Sequence, residues 1–150
     1  MTTDLQPDAG TSTFRYRGRF IATESLVALG ALAGTWQLVT QTGTPPISDL
    51  KPLGLTTWTL PGLWLLVSVA VPSSIAAAAA WRRSAGTPVA VLIASGALVV
   101  ELVVQMPFVG LSYFQLIFGT IAAAMAFLAV RARRSGSWNQ VRVGRGQARA

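Results

Sequence analysis

PVAVLIASGALVVELVVQM, residues 88–106, reads as a membrane crossing. Glu101 is its only charged side chain, and the rest offers no polar face at helical spacing. A bilayer core about 30 Å thick takes about 20 mostly apolar helical residues per crossing. Outward from this stretch the same ruler finds three more candidates, at about 111–130, 60–81 and 20–40. Across all four, the charges are Glu24 and Glu101 alone. The predicted fold class is therefore all-α: a polytopic membrane protein built as an antiparallel four-transmembrane-helix bundle.

The composition agrees. The 150 residues are 52% hydrophobic and 11% charged, against roughly 25% charged in an ordinary soluble domain. There is no His and no Cys. That excludes disulfides, thiolate nucleophiles, Ser-His-Asp triads and His- or Cys-ligated metal or haem. No Gly-rich phosphate loop or acidic metal cluster appears either. Glu24 and Glu101 fall in opposite leaflets, too far apart for a paired-carboxylate site. The expectation is no enzyme, no cofactor and no metal.

Charge placement gives orientation. The net charge is +7, and nine of the 12 basic residues precede Phe20 or follow Val130. Arg15, Arg17 and Arg19 precede the first span, Arg82 and Arg83 follow the second, and Arg131, Arg133 and Arg134 follow the fourth. The segment between spans one and two carries only Asp49 and Lys51. Basic residues flanking spans stay on the cytoplasmic side, so both termini of this multi-pass chain are predicted cytoplasmic. Phe14, Tyr16, Phe20 and Trp81 are the expected inner aromatic anchors, with Trp36, Trp58, Trp64 and Tyr113 toward the outside. Ala31-Leu32-Ala33 resembles a signal-cleavage site, but Glu24 lies inside that apolar run and hydrophobicity continues through Val39. The first span is read as retained.

Outside the spans, residues 1–19 read as a disordered cytoplasmic lead and 131–150 as a basic cytoplasmic tail with six Arg. The tail enforces topology or grips anionic lipid head groups, each Arg contributing about 1 kcal/mol near a charged leaflet. Trp138 among its arginines permits a nucleic-acid reading, but no nucleic-acid partner is expected. The outer loop carries Gly43, Pro45, Pro46, Pro52 and Gly54, which break any helix, while Leu50, Leu53, Leu55 and Trp58 rest on the membrane or cap the bundle.

In lipid, close helix contact depends on small residues. Thr23, Gly30, Gly34, Gln37 and Gln41 form such a seam in span one; Ala90, Ala94, Ala97, Glu101 and Gln105 form one in span three. Gln115, Gly119, Ala122, Ala126 and Ala129 form one in span four. Pro72, mid-span in the second helix, lacks the N–H that would bond the carbonyl of Ser68, and predicts a kink. That kink is a hinge, or simply a bend with no moving part. Ser73 and Ser74 stand ready to satisfy the freed groups.

Depth counting gathers the buried polar groups. Glu101 lies 13 residues past Pro88, about 20 Å from the inner face at about 1.5 Å per residue. Gln105, Gln115 and Gln37 fall in the same outer third. Intramembrane carboxyls cost about 2.5–3.5 kcal/mol on insertion scales, so each calls for a role. Two readings follow: Glu101 exchanges a proton or cation while the three amides orient a substrate, or a neutral Glu101 bonds Gln115 or Gln105 and holds helices together. Glu24, about 6 Å inside the inner end, is expected to pair with Arg82, Arg83 or Arg131.

Leu60-Pro61-Gly62 opening span two, Val103-Val104-Gln105 closing span three, Gly110 in the turn, and Gln115 and Gly119 in span four resemble a group of small uncharacterised four-span bacterial integral membrane proteins, common in actinobacteria. The resemblance covers about 30–130 and implies a plasma-membrane location without an activity. In that group the Glu101 position is often aromatic, which leaves Gln105, Gln115 and the glycines as shared features. Small multidrug exporters, with one essential glutamate in their first span, are a poorer likeness: Glu24 is too near the inner face. The expected function is that of a non-enzymatic accessory or scaffolding subunit with a membrane-protein partner or as a homo-oligomer. The alternative is a small proton-coupled carrier using Glu101.

Overall fold

The computed structural model describes residues 16–110 and 112–136. Phe14, Arg15, Leu111 and Trp138 lie outside the described residues, as do the other positions of 1–15 and 137–150. Among those described there is no strand. Four helices carry the fold: α1 (Arg17–Thr40), α2 (Thr59–Trp81), α3 (Thr87–Val109) and α4 (Tyr113–Arg134). Of these, α2, α3 and α4 are long and apolar enough to cross a membrane. The 24-residue α1 has the length, but Thr23, Glu24, Ser25, Thr35 and Gln37 lower its apolarity. Arg17 and Arg19 already belong to α1, and α4 runs on through Arg131, Arg133 and Arg134.

Neighbouring helices meet end to end in opposite sense. Arg17, starting α1, donates through Nε to the carbonyl of Ala80 (3.1 Å) and through Nη2 to that of Trp81 (3.1 Å), ending α2. At the other end of the pair, Thr35 Oγ1 donates to the carbonyl of Gly62 at 3.2 Å. Two apolar clusters fill the interior. One, toward the arginine-bearing end, gathers Phe20, Ala76, Ala80, Val91, Met125 and Ala129. The other gathers Val27, Ala31, Val69, Ala70, Leu98 and Ala122.

The packing face of α1 differs from the expected seam. Phe20, Glu24, Val27, Ala28, Ala31 and Thr35 are buried, whereas Gly30, Gln37 and Gln41 are exposed. A Cβ at Gly30 would meet only Phe118 Cζ, at 3.8 Å; at Gly34 it would meet Leu65 Cδ2 at 3.0 Å. The closest approach belongs instead to Gly62, where a Cβ would stand 2.9 Å from Leu38 Cβ and 3.3 Å from the Thr35 carbonyl. The α4 seam is met by burial of Gln115, Ala122 and Ala129, though a Cβ on Gly119 would make only an ordinary 3.8 Å contact with Leu102. Phe20 and Trp58, expected as interfacial anchors, both turn inward.

Pro72 is accommodated by a change of winding. Residues Leu66–Ala70 form a π-helical turn, and the Val71 N–H reaches back five residues to the Leu66 carbonyl. Pro72 then sits in the first turn of the α-helix Val71–Trp81, where a missing N–H is tolerated. Ser74 Oγ donates to the Ala70 carbonyl at 2.7 Å; Ser73 Oγ finds no partner among the described residues.

The α1–α2 loop, expected to hold no helix, contains one. A 3-10 segment, Ile47–Leu53, contains Pro52 and seats a fully buried Leu50. Trp58 Nε1 donates to the Pro45 carbonyl at 2.9 Å, which folds the loop back on itself.

Candidate functional site

Among the described residues two ionisable groups are buried in the helices, Glu24 at 3% exposure and Glu101 at 4%. They have different surroundings. Glu101 points from α3 to the π-helical turn of α2. Ser68 Oγ donates to its Oε2 at 2.9 Å, and Gln105 Nε2, one turn along α3, donates to its Oε1 at 2.8 Å. Both carboxyl oxygens thus have a side-chain partner. Such closure offsets the desolvation that an unpaired buried carboxyl would suffer.

The expected four-residue constellation is only partly assembled. Glu101 and Gln105 come together as predicted. Gln115 does not join them: it is the N3 residue of a capping box that opens α4. Its Oε1 accepts from the Ser112 N–H at 3.1 Å, while the Ser112 hydroxyl accepts from the Gln115 N–H at 3.4 Å. An Nε2 left without a partner among the described residues remains buried. Gln37 is exposed, its carbonyl accepting from the backbone that terminates α1. A helix needs its orphan end groups satisfied first, and both glutamines sit at helix ends. The Ser112-x-x-Gln115 spacing is itself the sequence signature of a capping box, so that role was readable.

Ser68 is the member of the site that pattern reading misses. Its spacing from Pro72 draws attention to its carbonyl, not to its hydroxyl. That hydroxyl meets Glu101 from within the π-helical turn packed beside α3.

Glu24 also departs from expectation. Among the described residues it makes no ion pair with Arg82 or Arg131. Its side chain instead borders the same small cavity as Ser73, whose hydroxyl has no hydrogen-bond partner among the described residues. The arginine nearest in role, Arg17, is committed to the α2 carbonyls.

Among the described residues no group of His, Cys, Asp and Glu could hold a metal ion. No known family, curated protein or solved structure matches the chain.

Proposed function

We propose that the protein is a four-span, non-enzymatic subunit of a bacterial plasma membrane, an accessory or scaffolding component of a membrane complex. The single observation that carries this reading is the closure of Glu101. Its two oxygens are taken by Ser68 and Gln105, so this buried carboxyl ties α2 to α3 and presents no open face to a substrate. That weighs against the proton-coupled carrier using Glu101.

The outward surface supports a lipid setting for all four helices. Leu26, Leu29, Leu32, Trp36 and Val39 form an exposed stripe along α1, while Glu24 and Thr35 turn inward. Glu24 and Thr35, two of the polar residues that lower the apolarity of α1, therefore face protein, not hydrocarbon, while Gln37 is exposed near the helix end. Exposed Leu63 and Val67 on α2, Ile93 and Val100 on α3, and Leu116 and Phe127 on α4 continue the apolar coat. Soluble monomers rarely expose so much contiguous apolar surface. Arg17, Arg19, Arg82, Arg83 and Arg131 share one end, which the positive-inside rule places in the cytoplasm, beside anionic head groups.

Purification of the tagged protein from native membranes in mild detergent tests the reading. A stoichiometric membrane-protein partner, or a stable homo-oligomer, is expected. Recovery of a lone monomer, together with proton-coupled solute uptake in proteoliposomes that Glu101→Gln abolishes, would overturn it in favour of the carrier.

A further inference from the structure

Three polar side chains from three helices converge where no hydrogen bond joins them: Glu24 of α1, Ser73 of α2 and Ser95 of α3. Ser73 is 1% exposed and Ser95 4% exposed. Both hydroxyls lack a partner among the described residues. They border, with Glu24, a cavity of about 10 Å³ measured to the centre of a water-sized sphere. Val27, Leu98 and Met125 are among the residues that complete its wall. Serine in a helix ordinarily returns its proton to the carbonyl four residues back, as Ser74 does to Ala70. Ser73 and Ser95 do not, and an unmade hydrogen bond at a buried hydroxyl is costly.

We propose that Glu24, Ser73 and Ser95 form an internal site for one water molecule in the inner half of the helix assembly. Three features agree. The space is that of a single water, which needs a cavity of roughly 10–15 Å³ on this measure. A buried water makes about three hydrogen bonds, and the site provides three side chains. The Ser hydroxyls donate or accept, so one water satisfies both orphaned groups and the adjoining carboxyl together. Empty cavities, by contrast, are apolar. The bound water thereby cross-links α1, α2 and α3 at the level where Glu101 does nothing, since Glu101 serves the outer half of the α2–α3 contact. The site does not depend on the accessory-subunit reading; it requires only that these three helices pack as described.

Water-edited solid-state NMR on the full-length wild-type protein in lipid bilayers tests the site directly. Magnetisation is expected to pass from water to Glu24 Cδ, Ser73 Cβ and Ser95 Cβ several-fold faster than to Ala76 and Val91, which are fully buried in the apolar core. In Ser95→Val, which replaces one partner and fills the space, transfer to Glu24 should fall to the level of that dry core. Wild-type build-up at the three residues no faster than at Ala76 and Val91 would overturn the proposal, whatever the variant does. So would a Glu24 signal that moves on exchanging Na⁺ for a large organic cation, because the occupant would then be a metal ion rather than water.

Discussion

The hydroxyl of Ser68 meets Oε2 of Glu101 at 2.9 Å across the α2–α3 contact, and it does so from the one turn of α2 wound as a π-helix. A π turn holds one residue more than regular winding would, so what precedes it is offset by about 100° of rotation from an unbroken α-helix. Pro72 lies two residues past the end of that turn. The proline thus matters through the register that the turn before it adopts, and that register presents a polar side chain to a buried carboxyl.

The Ser68–Glu101 contact should appear as coupling. In a double-mutant cycle of Ser68→Ala and Glu101→Leu, reversible unfolding in mixed micelles is expected to give an interaction of about 0.6 kcal/mol, and no more than about 1.7. Strict additivity would mean that the hydrogen bond contributes nothing.

Gly62 should be the least replaceable glycine. An added Cβ meets Leu38 Cβ at 2.9 Å and the Thr35 carbonyl at 3.3 Å, so Gly62→Ala is expected to destabilise by about 1–3 kcal/mol through overpacking. Gly119→Ala, whose Cβ meets only Leu102 at 3.8 Å, should be neutral or gain up to about 1 kcal/mol from lower chain entropy. Thermal denaturation of both variants in one detergent decides the ranking.

Arg17 closes the end of α2 by donating to the Ala80 and Trp81 carbonyls. Arg17→Ala is expected to cost about 0.5–1.5 kcal/mol, the usual net for a hydrogen bond. Hydrogen exchange should quicken at the Arg82, Arg83 and Ser84 amides, which bond the carbonyls of Ala78, Ala80 and Ala79. Unchanged exchange there would deny Arg17 its capping role.

The absence of cysteine makes topology simple to read. Ser48→Cys and Ser84→Cys each introduce the only thiol at an exposed site, one in the outer loop and one in the α2–α3 turn. In intact cells a membrane-impermeant maleimide should label the first and not the second. The reverse pattern would invert the proposed orientation.

Trp58 pins the α1–α2 loop through its bond to the Pro45 carbonyl. Trp58→Phe keeps an aromatic ring, though a smaller one, and loses the donor, so proteolysis within residues 41–58 should accelerate while the helices keep their melting temperature. Equal cleavage of wild type and variant would show that the loop is held by apolar contact alone.

What the sequence by itself determined is the set of helices and the end at which their arginines collect. Hydrocarbon demands about 20 apolar residues per crossing, and that requirement is read along one dimension, without knowledge of any neighbour. It also placed Glu101 beside Gln105, because residues four apart in one helix share a face. The rotational setting of each helix was decided only in three dimensions. Small residues line more than one side of α1, and it packs through Ala28 and Ala31 while Gly30 stays outside. Nor does 3.6-residue spacing carry through a π turn, so Ser68 reached Glu101 unannounced. Contacts between helices depend on which ridges fit which grooves, and on which helix ends must satisfy their own backbone first, as Gln115 does. Those are properties of pairs of surfaces, and no single stretch of chain contains them.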